Sequence, residues 1–550
     1  MIGLVVTTAA GRRATERLTG ALGDTRSYEV GDIATAWREC DALVCFLATG
    51  ATVRLLASHL GDKRTDPGVV CVDEAQRFAV ALLGGHGGGA NDLARAVADA
   101  LGAEPVVTTA TDAAGVPGLD TLGWPVEGAV SAVSRALLDG APVRLDADVP
   151  WPLPPLPVGT GGDHVLRVTD RLVDADDRTA VLRPPSLVLG VGASRGVAAP
   201  EVEHLVASVL RSAGLSPASV AAVATVDAKA EEAGLVELCA RRGWPLVTYP
   251  AARLAEVDVP NPSDEPAKVL GTPSVAEAAA LLHSAGELVV QKRKSAMATV
   301  AVARRPPRGR LALVGLGPGA RDLLTPRATA ELRRASVWIG LDQYVDQVRD
   351  LARPGTRIVE SGLGQEEERA HTAVAEARAG RAVALLGSGD AGVYAMASPA
   401  LEVAGDDIDV VGVPGVTAAL AASNLLGAPL GHDHASISLS DLHTPWPAIE
   451  ARIRAVAEAD LVVTFYNPRS RGRDWQLPKA VSMLLEHRPP GTPVGVVTDA
   501  SRPGERVLLT TLGELEPEQV TMLSCVVVGS SQTRVVAGRM VTPRGYRWMG

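Results

Sequence analysis

The chain has 550 residues, too many for one ordinary core, so several domains are expected. Apolar residues make up 47% and aromatics only 3%, which fits α/β domains, while a net charge of −10 argues against nucleic acid as a main partner. The five cysteines are scattered and odd in number, so no disulfide framework is visible and a reducing cytoplasm is expected.

The first apolar run, in MIGLVVTTAAGRR, is too short for a signal peptide and has its basic residues on the wrong side. No apolar stretch approaches the roughly 20 residues of a membrane span. Strands are expected at LVVTTA (4–9), ALVCFLA (42–48), VVCVD (69–73), FAVALL (78–83) and PVVTTA (105–110). TVRLLASHL and NDLARAVADALG between them read as helices. In the second, Leu93, Val97 and Leu101 recur on one face and Gly102 stops it. Alternation of this kind predicts an α/β fold.

Between these strands lies GGHGGGANDLA (84–94), a glycine loop carrying His86 that runs into a helix near Asn91. A helix N-terminus offers free N–H groups and a positive dipole end. His86 beside it is placed to activate water while amides hold an oxyanion, with Asn91 a second candidate catalytic group. A tight turn with a capping Asn gives the same pattern. Lys63, Asp66, Asp73 and Glu74 are further polar candidates nearby.

Residues 128–186 break the pattern. WPLPPLPVGTGGD (151–163) reads as a linker or irregular insertion. A second α/β block follows, with strands at 187–191, 220–226, 245–249, 287–291 and 298–303. Arg195 and Lys229, with Lys292 and Lys294, are candidate carboxylate binders, although Glu232 is spaced to pair with Lys229 on a helix. RRPPRGR (304–310) is a basic, proline-broken hinge. The expected boundaries are therefore 1–127, 128–186, 187–305 and 308–550.

The last block opens with LALVGLGPGARDLLTP, a strand running into a glycine turn. A dinucleotide loop wants G-x-G-x-x-G. Here the third glycine of Gly315, Gly317 and Gly319 comes one residue early, and Pro318 removes a backbone N–H. A dinucleotide-dependent oxidoreductase, with Asp342 as the ribose acid, remains an alternative. Four more polar turns follow strands: GSGDAGVYAMASP (387–399), VPGVTAALAASNLLGAPL (413–430), SLSDLHTPW (438–446) and FYNPRSRGR (465–473). Ligand sites in α/β sheets lie in such loops. His432 and His434 flank Asp433, but no third ligand is evident and no metal site is assigned.

Taken together with VGSSQT (528–533), these five loops resemble the tetrapyrrole methylase family, and within it the precorrin-3B carbon-17 methyltransferases. Many relatives have G-D-P where this chain has Gly389, Asp390 and Ala391. The resemblance covers about 240 residues. It implies a two-subdomain fold, S-adenosyl-L-methionine as cofactor, a precorrin substrate and a homodimer through this block. It places cofactor contacts at Gly317, Pro318, Gly319, Gly389, Asp390, Ala391, Val393, Tyr394, Thr417 and Ala418. Asp441, His443 and Tyr466 become acid–base candidates for ring contraction. Asn467, Arg469 and Arg471, with Arg473, become candidate binders of substrate carboxylates.

DKRTDPGVVCVDE, GGHGGGAN and EPVVTTATD resemble the N-terminal domain of cobalt-precorrin-5A hydrolases. GVGASRG (190–196), ATVDAKAEEAGL (224–235), GTPSVAEAAAL (271–281) and VVQKRKSAMATVAVARR (289–305) resemble their C-terminal domain. That family opens a δ-lactone and expels acetaldehyde. Many relatives have Cys where this chain has Ser194, so a thiol nucleophile is not expected there. The expected architecture is thus multidomain α/β, with two hydrolase-type domains ahead of a two-subdomain methylase fold. The expected function is bifunctional, in cobalamin biosynthesis. The alternative is a first half that only binds corrinoid.

Overall fold

The computed structural model describes residues 1–62, 65–85, 88–109, 114–263, 271–470 and 472–545. His86, Lys63 and Arg471 lie outside the described residues. The chain forms two compact units, Met1–Pro307 with Arg353–Gly355, and Arg308–Ala352 with Thr356–Gly550.

The first unit carries three sheets. The first has six strands, ordered Thr25–Glu29, Ile2–Val6, Ala42–Cys45, Gly68–Val72, Phe78–Leu83, Glu104–Val106. All neighbours run parallel except the fourth and fifth strands, which are antiparallel. The helix Ala9–Leu22 starts at Thr8, whose hydroxyl accepts from Gly11 N at 3.1 Å. The helix Ala90–Leu101 buries Leu93, Val97 and Leu101, the expected stripe, and Gly102 ends it in a left-handed conformation (φ 69°).

The proline-rich middle is more than a linker. Val126–Gly128, Thr179–Leu182, His164–Val168 and Val143–Ala147 form a four-stranded mixed sheet backed by the helix Val130–Leu138. Its core includes Leu119, Val133, Leu166 and Leu182. The third sheet is ordered Leu246–Tyr249, Val220–Val226, Leu187–Ala193, Ala298–Arg304, Glu287–Lys294. Helix Ala276–Ser284 lies so close that a Cβ on Gly190 would stand 1.8 Å from Ala276 O.

The second unit has two large sheets. One is wholly parallel and ordered Arg357–Ser361, Val337–Leu341, Ala382–Gly387, Arg310–Gly315, Asp409–Val413. Its three inner strands read as near-continuous apolar runs because they are buried on both faces. The other is mixed and ordered His434–Ser438, Val462–Tyr466, Ser524–Val528, Pro493–Thr498, Arg506–Thr511. The helix Ala418–Leu426 packs on this mixed sheet, and a small three-stranded sheet follows it. This is the multidomain α/β architecture the alternation implied.

Candidate functional site

In the parallel sheet, the strand Arg310–Gly315 lies between Ala382–Gly387 and Asp409–Val413. The loops leaving these three strands are therefore neighbours at their carboxyl ends, where ligands of such sheets sit. Gly317 and Gly389 exchange backbone hydrogen bonds at 3.0 and 2.8 Å. A Cβ on Gly415 would stand 2.1 Å from Gly389 O, and one on Gly315 would stand 2.7 Å from the same oxygen. Backbone meets backbone here with no room for any side chain. Gly317 also needs its positive φ of 74°.

Asp390 ties this junction together. Its Oδ1 accepts from Gly392 N at 2.8 Å and its Oδ2 from Gly415 N at 3.1 Å. Ala391 is buried beside it. Pro318, which donates nothing, uses its carbonyl: Arg502 Nε donates to Pro318 O at 2.6 Å. Arg502 Nη2 donates to Ser388 Oγ at 3.0 Å. Arg502 comes from the turn after Pro493–Thr498 in the mixed sheet, so one guanidinium fastens two loops of the parallel sheet to the other lobe. Its aliphatic stem covers Gly319, where a Cβ would stand 2.5 Å from Arg502 Cγ.

The mixed sheet contributes Tyr466. Its hydroxyl is 2.7 Å from Thr417 Oγ1 and accepts from Ala419 N at 2.9 Å. It thereby satisfies one open N–H in the first turn of the helix Ala418–Leu426. Burial pushes the Tyr466 phenol above its ordinary range. Tyr394 stacks obliquely on it with ring centroids 5.1 Å apart and donates to Ser436 O at 2.8 Å. Even so, Tyr394 remains 52% exposed, and Leu442 and Trp475 expose further apolar surface on the unit. Tyr394, Asn467, Asp499 and Ser501 all hold left-handed backbone (φ 52°, 48°, 52° and 62°). Such strain tends to cluster where loops are held for function.

Asn467 Nδ2 donates to Ser438 Oγ at 3.1 Å, joining the loops of two adjacent strands. Asp441 is exposed and accepts from Gln476 Nε2 at 3.1 Å, and His443 is exposed on the same loop. Arg469 Nη1 is turned to Pro517 O at 2.8 Å. Arg473 is not a solvent-facing clamp. It is buried in a tight turn with Ser470 and donates to Asn467 O at 2.9 Å. Burial pushes its pKa down, with Asp441 opposing.

In the first unit, Asn91 is 3% exposed and donates to Thr109 Oγ1 at 3.1 Å. Its backbone N donates to Gly85 O at 2.9 Å, closing the glycine loop onto the helix. Asp73 accepts from Arg77 N and Phe78 N, both at 2.8 Å, and Asp66 accepts from Gly61 N, so both carboxylates shape turns. Glu74 accepts from the Thr8 hydroxyl at 3.2 Å. Arg195 is exposed at the end of Leu187–Ala193, beside an exposed Ser194. Lys229 is paired inwards: Nζ lies 2.9 Å from Glu232 Oε2, while Gly196 N donates to Glu232 Oε1 at 2.7 Å.

Lys229 is the main reason the Glu232 carboxyl sits below its ordinary pKa. The pair stabilises the fold above the unfolded carboxyl pKa, and that stability is lost as pH falls through the lower folded pKa. Glu232→Gln is expected to lower the unfolding temperature by about 2–4 °C at neutral pH. The difference should vanish in strong acid; a melting series from neutral to acidic pH checks both.

Residues 310–516 match the profile of the tetrapyrrole (corrin/porphyrin) methylases. A probable cobalt-factor III C(17)-methyltransferase of Salmonella typhimurium is 46% identical over 239 residues, covering 43% of this chain and 99% of that protein. The chain belongs to the tetrapyrrole methylase family. The precorrin-3B C(17)-methyltransferase of a Sinorhizobium species is 38% identical over 249 residues, 43% of this chain and 97% of that one. A crystal structure of the methyltransferase CobJ is 35% identical, covers 43% of this chain and 100% of its own, and has a TM-score of 0.41. Ahead of the methylase, residues 32–112 match the N-terminal part of the cobalamin synthesis G family and residues 187–303 its C-terminal part. The chain is a methyltransferase of cobalamin biosynthesis fused to cobalamin synthesis G regions.

Sequence reading missed Arg502, although TDASRPGERV (498–507) is one more polar turn leaving a strand. The five cysteines are buried and free. Burial raises Cys239 to about 11 and Cys525 to about 12, so neither is poised as a thiolate. Among the described residues no His, Cys, Asp and Glu cluster is arranged to hold a metal ion, and no helix is long and apolar enough to cross a membrane.

Proposed function

We propose that residues 308–550 methylate carbon 17 of precorrin-3B or its cobalt form with ring contraction, and that residues 1–305 hydrolyse the lactone of cobalt-precorrin-5A with release of acetaldehyde. The cofactor of the first reaction is S-adenosyl-L-methionine, whose sulfonium supplies the methyl group. The single observation that carries this reading is the contact of Gly315, Gly389 and Gly415 at adjacent strand ends. A floor of bare backbone lets an adenosine or an amino-acid moiety approach peptide groups closely. Gly317, Pro318, Gly319, Gly389, Asp390, Ala391, Val393 and Tyr394 would line it, with Thr417 and Ala418 at the following helix. Methyl transfer needs donor and acceptor held in line more than it needs acid–base help, so loops fixed by Asp390 and Tyr466 suit it.

The exposed Tyr394, Leu442 and Trp475 suit the apolar body of a macrocycle, and Arg469, Arg471 and Asn467 its carboxylate fringe. Asp441 and His443 are the candidate acid–base groups for ring contraction. In the first unit, His86 would activate water and Asn91 would hold its loop, with Arg195 at a second strand-end loop. The functional divisions are then 1–127, 128–186, 187–305 and 308–550. The protein acts in the cytoplasm as a homodimer through the last block.

Calorimetric titration of the full chain with S-adenosylhomocysteine, beside NAD, tests the cofactor. Binding of the first alone is expected; binding of NAD alone would overturn the methyl-transfer reading. His86→Ala is expected to abolish acetaldehyde release while the protein still binds the macrocycle. Unchanged release would leave the first unit as a corrinoid-binding module at most.

A further inference from the structure

The sheet at 126–182 and the sheet at 187–304 enclose a cavity of about 640 Å³ in the first unit. None of the residues assigned above to either reaction lines it, and it lies apart from the glycine loop at 84–94 in sequence and in lining. Its size is that of a small-molecule site. Val149, Val168, Pro184, Pro306 and Pro307 give it apolar walls.

Its floor is rigid. Arg304 grips Asp170 in a two-pronged pair, Nε to Oδ2 at 2.7 Å and Nη2 to Oδ1 at 3.0 Å. The Ser186 hydroxyl donates to the same Oδ2 at 2.7 Å. The Asp170 carboxylate is therefore fully engaged. Asp148 accepts from the Thr169 hydroxyl, and Glu287 sits on the exposed edge strand.

One cation in the lining is not engaged. Arg305 is half-buried, with its backbone N fixed to Ser186 O at 2.8 Å. Among the described residues its guanidinium has no carboxylate partner within salt-bridge distance. The nearby His283 carries no negative charge to offset it, and burial disfavours the cation. Trp151 adds its indole ring to the wall, while its N–H is buried away from the open space. A desolvated cation costs free energy unless an acceptor fills the space. Arg171, exposed at the rim, adds a second cation.

We propose that this cavity binds a carboxylate-bearing edge of the tetrapyrrole, with Arg305 as donor to the carboxylate and the Trp151, proline and valine walls against the ring that carries it. The proposal rests on the reading that the first unit acts on the macrocycle. The middle sheet then has a functional role, as one wall of the substrate site. The site binds and orients only; no bond is made or broken there.

The test uses the full chain with two soluble probes. Uroporphyrin carries carboxylate arms on a flat ring, and cobinamide carries amide arms. Uroporphyrin is expected to bind, and Arg305→Gln is expected to weaken that binding at one site at least tenfold. Trp151→Phe should weaken the same site by a smaller factor and remove the part of the tryptophan fluorescence that uroporphyrin quenches. Cobinamide should bind that site at least tenfold more weakly than uroporphyrin. S-adenosylhomocysteine affinity, read in the same samples, should not move. If Arg305→Gln does not fold, Trp151→Phe decides alone. Uroporphyrin affinity unchanged in the folded variants overturns the site. The two readings fail separately. Acetaldehyde release from cobalt-precorrin-5A, assayed separately, without any dependence of uroporphyrin binding on Arg305 or Trp151 sinks the site and spares the hydrolase. Uroporphyrin binding that depends on both, with no acetaldehyde released from cobalt-precorrin-5A by the wild-type protein, sinks the hydrolase and spares the site.

Discussion

Arg502→Ala is expected to weaken S-adenosylhomocysteine binding by about ten- to hundredfold. The guanidinium makes two charge-assisted hydrogen bonds, to Pro318 O and Ser388 Oγ, and each such bond is worth about 1.5–3 kcal/mol. Both bonds are lost together, about 3 kcal/mol at the low end, which sets the upper figure; water replacing half of that at the two acceptors sets the lower. Arg502 is a positioning residue. It holds the Gly317–Gly319 loop and the Ser388–Asp390 loop in fixed register against the turn of the other lobe. Arg502→Lys keeps the charge but replaces a two-pronged fork with a point, so it should recover only part of the affinity. A purely structural role would lower the unfolding temperature and leave the affinity of the folded fraction intact. Calorimetry on protein shown to be folded separates the two, and wild-type affinity in folded Arg502→Ala would sink the positioning role.

Arg502 also shows where sequence reading stops. Its two partners lie 184 and 114 positions away, and a lone arginine in a turn looks like solvated surface. The loops it fastens were legible, because each has a glycine cluster directly after a continuous apolar strand. That pattern needs no long-range information. The ladder between Gly317 and Gly389 and the tie from Tyr466 to Thr417 do need it, since they depend on which strands are neighbours. Arg473 misled for the opposite reason. RSRGR reads as an exposed basic loop, yet the turn from Ser470 to Arg473 folds its guanidinium back onto Asn467 O. The sheet at 126–182 was hidden by composition. Its strands are three to five residues long, and the stretch 151–158 between two of them is rich in proline and irregular. In the first unit, Lys229 and Glu232 were readable as a pair from their spacing, although they pair across a turn and not on a helix: Lys229 ends the 3-10 turn Asp227–Lys229 and Glu232 directly precedes the helix Ala233–Arg242. The extra bond from Gly196 N was not, since it joins the loops that follow two different strands.

Gly415→Ala is expected to be the single-methyl change most damaging to the junction of the three glycine loops. The added Cβ would stand 2.1 Å from Gly389 O and 2.8 Å from Gly315 C. Both obstacles are backbone, held by the Gly317–Gly389 hydrogen bonds and by Asp390, so neither can rotate aside. Relief requires the strand ends to separate, and overpacking of this kind costs about 1–3 kcal/mol or more. The strain falls where the cofactor is proposed to lie, so S-adenosylhomocysteine binding should fall below detection while the first unit keeps its own unfolding transition. Gly412→Ala is the matched control. It lies in the strand just before, with nothing within 4 Å of a Cβ and no positive φ. Its effect on stability should stay within about 0.5 kcal/mol. If Gly415→Ala melts and binds like Gly412→Ala, the three-glycine junction is not the cofactor floor. If it binds weakly at unchanged stability, the junction yields more easily than its packing implies and its closeness serves the ligand rather than the fold. Loss of both, against an unaffected control, is the result expected of a backbone contact that serves fold and ligand at once.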